Sequence, residues 1–199
     1  MKTYNKGKRF PAQPLSGDEV KALIRVCSKR SATDIRNAAL VTVLYRSGLR
    51  ISEALAVLPR DLEPDTGAIR VMNGKGGTAR SVALDPGAWA ILQRWLDRRV
   101  TLGISGRSMV FCTLRGGQLK TSYVRGLLPR LAGKAGIERR VHAHALRHSF
   151  AAELAAERTP LNVVQCLLGH SSLATTDAYL RHINPVVAIE TLRARSWSI

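Results

Sequence analysis

"DLEPDTGAIRVMNGKGGTARSVALDP", residues 61–86, decides the fold class. It contains two β-compatible runs, Ala68–Met72 and Ala79–Leu84, joined by "NGKGG". Asn-Gly and Gly-Gly steps supply the positive φ angles that hairpin turns require. "DLE", ahead of Pro64, is compatible with a third short strand. No other segment carries a comparable strand signal, so the expectation is one small antiparallel sheet.

Outward from the hairpin, the chain reads as helix. Upstream, "SGDEVKALIRVC" has Ser16 as N-cap and Glu19 three positions later, a capping box ahead of an apolar-periodic run. "TDIRNAALVTVLYRSG" reads as a helix opened by Thr33 and stopped near Gly48, and "RISEALAVL" as one ending before Pro59. Downstream, helices are expected in "PGAWAILQRWLDRRV", "LKTSYVRGLLPRLAGKAG" and "HAHALRHSFAAELAAE". "PLNVVQCLLGH" follows, starting at Pro160 and stopping near Gly169, then "SLATTDAYLRHI" and "NPVVAIETLRARSW". The fold class is therefore α+β: mostly helical, with a small antiparallel β-sheet. Residues 1–15 read as a basic, Pro-containing arm, residues 16–180 as one domain, and residues 181–199 as a tail or helix.

With 199 residues, 45% of them hydrophobic and 23% charged, the chain is long enough for one domain with a real core. Its charge is lopsided: 31 Lys and Arg against 14 Asp and Glu, a formal net charge of +17. Such a surface favours a polyanionic partner, nucleic acid first, and makes binding salt-dependent. No apolar run approaches membrane-spanning length, so no membrane partner is expected. The N-terminus lacks the apolar core of a signal peptide. Cys27, Cys112 and Cys166 are odd in number and far apart, which points to reduced thiols and a cytoplasmic setting.

"VHAHALRHSF", residues 141–150, holds three of the five histidines. As a metal site it is weak: His144 and His148 lie four apart, but no glutamate completes HExxH and no second cluster supplies a ligand. The "NGKGGT" turn lacks the spacing of a nucleotide-binding loop. A phosphodiester suits these residues better. Attack on it builds negative charge on non-bridging oxygens, which fixed arginines stabilise. A lysine can protonate the leaving alkoxide, and a tyrosine can be the nucleophile. The inventory is present: Arg50 in "SGLRISEAL", Lys75 at the hairpin tip, and His144 with Arg147 on one helical face. His170 in "LLGHSS" and Tyr179 in "TTDAYL" follow. Taken singly, each has a plain alternative, since a lone helical tyrosine usually packs and a lone surface arginine is usually solvated.

The ordered set R-I-S-E, G-K-G-G, H-A-L-R-H, L-L-G-H-S and a following tyrosine resembles the tyrosine recombinase, or phage integrase, family, from about Ser16 to Tyr179. The resemblance implies that Arg50, Arg147 and His170 hold the scissile phosphate and that Tyr179 is the nucleophile. Lys75 matches the general acid, and His144 the histidine of H-x-x-R. Glu53 matches the acidic residue supporting the site from behind, and His148 is expected to be structural or to support the site without touching the phosphate. The implied reaction proceeds through a 3′-phosphotyrosyl link, without metal, ATP or other cofactor. Two rounds of strand exchange recombine double-stranded DNA within a tetramer.

Most members carry a helical core-binding domain ahead of the catalytic one. Here only the arm with Lys2, Lys6, Lys8 and Arg9, expected to contact DNA, precedes the first helix. The chain thus resembles short catalytic-domain-only members such as fimbrial-type invertases. It is expected to lean on an accessory DNA-bending protein or cooperative assembly, and to associate with the nucleoid when bound to DNA. The tail is expected to dock on a neighbouring protomer. Two other readings fit the same charge: a type IB-like topoisomerase or nicking enzyme, and a non-catalytic basic DNA-binding protein.

Overall fold

The computed structural model describes residues 14–72 and 79–169, together with residue 193. The basic arm with Lys2, Lys6, Lys8 and Arg9, the hairpin tip with Lys75, and the segment with His170, Tyr179 and, residue 193 apart, the last two expected helices lie outside the described residues.

Helix α1, Gly17–Arg25, opens on the expected capping box. The Ser16 hydroxyl accepts the Glu19 amide at 3.2 Å, and the Glu19 carboxylate accepts the Ser16 amide at 2.7 Å. Helix α2, Ala32–Ser47, opens one cap earlier than expected: Ser31, not Thr33, stands at the N-cap and accepts the Asp34 amide at 3.4 Å. Ser31 lies three residues before an available amide, which leaves Thr33 inside the first turn. The helix stops at Gly48, as read, because the residue there takes φ 61°.

α2 is the central element. Leu40, Val41, Val43 and Leu44 are buried on different sides of it, as expected for a helix wrapped on all faces. Its buried hydroxyls are satisfied within the helix: Thr42 donates to the Ala38 carbonyl at 2.9 Å and Ser47 to that of Val43 at 2.5 Å. Helices α1, α4 (Pro86–Thr101) and α6 (Ala143–Ala156) pack around it.

Helix α3, Ile51–Ala56, ends two residues before the expected stop. Val57 turns extended, and its carbonyl accepts the Val110 amide at 2.8 Å. Leu58 is also extended, as the residue before a proline prefers. A single 3₁₀ turn over Pro59–Asp61 leads into the sheet.

The sheet has three antiparallel strands in sequence order, β1 (Leu62–Glu63), β2 (Ala68–Val71) and β3 (Arg80–Ala83). The last two residues of "DLE" and the two hairpin runs are therefore strands, while Asp61 ends the 3₁₀ turn; the first hairpin run loses Met72 and the second loses Ala79 and Leu84. Ile69 pairs with Leu62 on one side and Val82 on the other. Ile69, Val71 and Val82 are buried, while Arg70 and Ser81 face out. Arg80 has the same parity as Val82, so it points inward.

In α4, Asp85 caps the first turn by accepting the Ala88 amide at 3.0 Å, and the buried Trp95 donates its indole N–H to the Val110 carbonyl at 2.7 Å. Helix α5, Thr121–Lys134, runs through Pro129. Helix α7, Leu161–Leu168, ends at Gly169 with φ 60°. Pro160 precedes its first turn. Phe150, Ala151, Val164 and Leu168 form a small apolar cluster between α6 and α7. Among the described residues, no helix is long and apolar enough to cross a membrane.

Candidate functional site

α6 begins with its own histidine. His142 is the N-cap, and its Nδ1 accepts the Ala145 amide at 3.1 Å. That acceptor must be unprotonated, and burial, followed by the nearby Arg140 charge, lowers the His142 pKa accordingly. His144 and Arg147 follow at i and i+3 and reach one cleft of about 270 Å³. Arg50, at the N-cap of α3, lines its other side. Ser52, Thr121 and Arg125 also line it, and no lining residue is acidic among the described residues.

Arg147 is nearly buried, at 3% exposure, and is held from both sides. Its Nη1 donates to the Gly48 carbonyl at 2.6 Å and its Nη2 to that of Leu168 at 2.5 Å. The glycine stop of α2 and the last turn of α7 therefore aim the guanidinium. Gly48 must be glycine for a second reason: a Cβ there would lie 2.3 Å from the Phe150 ring.

Arg50 is set by Glu53. The carboxylate accepts the Arg50 amide at 2.8 Å through Oε2 and Arg50 Nη1 at 2.8 Å through Oε1. Arg80, from β3, closes a fork on the same carboxylate, with Nη1 to Oε1 at 3.0 Å and Nη2 to Oε2 at 2.8 Å. Burial works to raise the Glu53 pKa. Hydrogen bonds from Arg80 and the Arg50 backbone outweigh it and hold the carboxyl down to about 2. Glu53 is thus an ionised group in the interior, tolerated because two arginines surround it.

The His144 pKa is lowered, first by burial and then by the nearby Arg147 guanidinium. Beside the His144 ring, that of His148 packs edge-on, with ring centroids 4.2 Å apart. Burial, then the neighbouring His144, pushes the His148 pKa down to about 4. A neutral imidazole between arginines can donate one hydrogen bond to an anion and accept another. Among the described residues, no three His, Cys, Asp or Glu side chains gather as a metal site would need.

Of the residues singled out in the sequence, the structure brings Arg50, His144 and Arg147 to one cleft. Glu53 stands behind Arg50, and His148 behind His144. Lys75, His170 and Tyr179 lie outside the described residues. Sequence reasoning missed Arg80 and Arg125. Arg80 carried one signal, its parity with Val82 in the strand run: an arginine on the inward face of a strand needs a buried carboxylate. Arg125 carried none, since one exposed arginine on the polar face of a helix looks like any other.

The chain belongs to the phage integrase family, which its residues 13–184 match. It is 38% identical over 194 residues to tyrosine recombinase XerC of Xanthomonas axonopodis pv. citri, covering 96% of this chain and 62% of that protein. To tyrosine recombinase XerD of Ralstonia nicotianae it is 34% identical over 195 residues, covering 97% of this chain and 61% of the relative. The chain thus spans about three-fifths of the length of these two curated relatives. The crystal structure of XerA recombinase superposes with a TM-score of 0.82 at 29% identity, over 97% of this chain and 69% of that one. XerH site-specific recombinase bound to palindromic difH substrate, in a post-cleavage complex, gives 0.76 at 28% identity, over 93% and 54% of the two chains. The catalytic domain of bacteriophage HP1 integrase, at 20% identity and a TM-score of 0.63, shares the fold over 92% of this chain and 94% of its own.

Proposed function

We propose that this chain is a site-specific DNA recombinase that cleaves and rejoins double-stranded DNA through a 3′-phosphotyrosyl intermediate, without metal or ATP. The observation that carries it is the convergence of Arg50, His144 and Arg147 on one cleft with no acidic residue among its described lining, in a chain of the phage integrase family. XerH, a relative in fold at 28% identity, was captured on its DNA in a post-cleavage complex.

In the proposed step, the Tyr179 hydroxyl gives up its proton to solvent, and its oxygen forms a bond to the scissile phosphorus as the bond to the 5′ oxygen breaks. That leaving oxygen takes a proton from Lys75. Arg50, Arg147 and His170 hold the non-bridging oxygens, and His144 donates a further hydrogen bond from its neutral ring. Glu53 keeps Arg50 in place. A 5′-hydroxyl from a partner duplex then reverses the step, so each phosphodiester broken is replaced by another. The domain spans residues 16–180. Lys2, Lys6, Lys8 and Arg9 lie along the DNA, and residues 181–199 dock on the next protomer of a tetramer assembled on DNA with an accessory bending protein. The protein works in the cytoplasm, on the nucleoid.

The test uses the full chain with a pool of nicked duplexes of random sequence, which trap a cleaved strand because its short fragment diffuses away. Covalent complexes that survive denaturation are isolated and their DNA is sequenced. Enrichment of one site, lost in Tyr179→Phe, supports the proposal. Adducts with no preferred site, together with relaxation of any supercoiled plasmid, indicate a topoisomerase instead. No adduct at all, with tight binding unchanged in Tyr179→Phe, indicates a protein that only grips DNA.

A further inference from the structure

Three arginines from three different elements hold the last turn of α7. Arg80 donates from Nε to the Leu167 carbonyl at 3.0 Å, Arg147 from Nη2 to that of Leu168 at 2.5 Å, and Arg50 from Nη2 to that of Gly169 at 3.3 Å. These are consecutive carbonyls at the negative end of a helix, where intrahelical partners run out. Two of the arginines line the cleft; Arg80 does not. Its fork is committed to protein instead: both terminal nitrogens to Glu53, Nε to α7, with the side chain only 7% exposed. Arg50, by contrast, keeps 31% of its side chain exposed.

We propose that Arg80 is a positioning residue that locks the Glu53–Arg50 pair to the end of α7, so that the phosphate-gripping guanidinium and the Gly169 turn share one register. The proposal rests on the recombinase reading above. Gly169 is fitted to the same lock. It takes φ 60°, and a Cβ on it would lie 2.8 Å from Arg80 Nη1 and 2.9 Å from Cζ. Only a glycine lets the Arg80 guanidinium lie flat against that turn while still reaching Glu53. Lysine at position 80 supplies the charge but not the fork, so it can serve the carboxylate or the helix, not both at once.

The test compares wild type, Arg80→Lys and Gly169→Ala in single-turnover cleavage of the nicked duplex enriched by the selection. Rates are normalised to the folded, DNA-binding fraction. Loss of register is expected to slow cleavage in both variants by about 10- to 100-fold. The Kd for the duplex is expected to shift less than about threefold, because the cleft arginines and the basic surface remain. Adding Arg50→Lys to Arg80→Lys should cost little beyond Arg50→Lys alone, since both changes act through one guanidinium. The proposal is overturned if the folded Arg80→Lys protein cleaves at the wild-type rate, or if its losses simply add to those of Arg50→Lys. A reduced folded fraction with an unchanged rate per folded molecule also overturns it, leaving a structural role. Absence of adduct in the wild type would count against the recombinase reading itself, a separate outcome.

Discussion

Arg147 and His142 stand five positions apart in one short stretch, yet they do different work. Arg147 supports two carbonyls from its buried position and presents its guanidinium to the cleft. Arg147→Ala is expected to lower adduct formation by about a hundred- to a thousandfold, the scale on which loss of a charge-stabilising donor acts. It also leaves the Gly48 and Leu168 carbonyls without that donor, at about 1–3 kcal/mol for each group left unsatisfied. His142→Ala removes a helix cap and a loose 6.5 Å ring stack on His144, so about 1 kcal/mol of stability should go while cleavage per folded molecule stays near wild type. Denaturant melts alongside adduct assays separate the two. Comparable losses of cleavage in both variants would contradict this division.

His148 gives stability a specific pH window. In the unfolded chain it protonates near 6.5, but in the folded protein only near 4. The unfolded state therefore binds the extra proton first, and stability falls as pH drops from 6.5 towards 4, by about 3 kcal/mol in all. Glu53 acts lower: its contribution is complete above 4.5 and is lost as pH falls through about 2. Urea unfolding of wild type and His148→Gln at pH 7 and pH 4.5 checks this, the variant being expected to show a clearly smaller difference. The histidines and two arginines of the cleft were legible because motif spacing survives in one dimension. Arg80 was not, because an arginine's worth depends on the carboxylate it meets.

At the scale of elements, local chemistry was the better guide. The Ser16–Glu19 box and the glycine stops at Gly48 and Gly169 follow from side-chain reach and φ alone. Ser16→Ala should cost about 1 kcal/mol in thermal or chemical melts with little effect on the cleft. Gly48→Ala should cost more, about 2–4 kcal/mol, because it meets both an unfavourable positive φ and the Phe150 ring. It should also weaken cleavage, since Gly48 carries a carbonyl that aims Arg147. Boundaries were less legible. The start of α2 depended on which of two nearby hydroxyls reached an amide, and the end of α3 on Val57 pairing with distant Val110. Such long-range pairing overrides helix propensity at a terminus.

For the whole molecule, the charge of +17 makes the proposed association with DNA an ion-exchange process. Between 50 and 200 mM salt, the affinity for a random-sequence duplex is expected to fall by about a hundredfold or more. The rate of cleavage in the bound complex should change far less, because its arginines are partly or wholly buried. A weak salt dependence of binding, measured by fluorescence anisotropy, would argue against a phosphate-tracking surface. The same division of labour explains what the chain alone disclosed. Helix and strand types, caps, the hairpin and the R…HxxR…GH…Y order are properties of neighbours or of fixed spacing, and the sequence determined them. The meeting of Arg50 and Arg80 on Glu53, and of both with Arg147 at the end of α7, joins positions 21, 27, 87 and 119 residues apart. Only packing of β3, α3, α6 and α7 against one another decides that meeting, because no local preference acts across such separations.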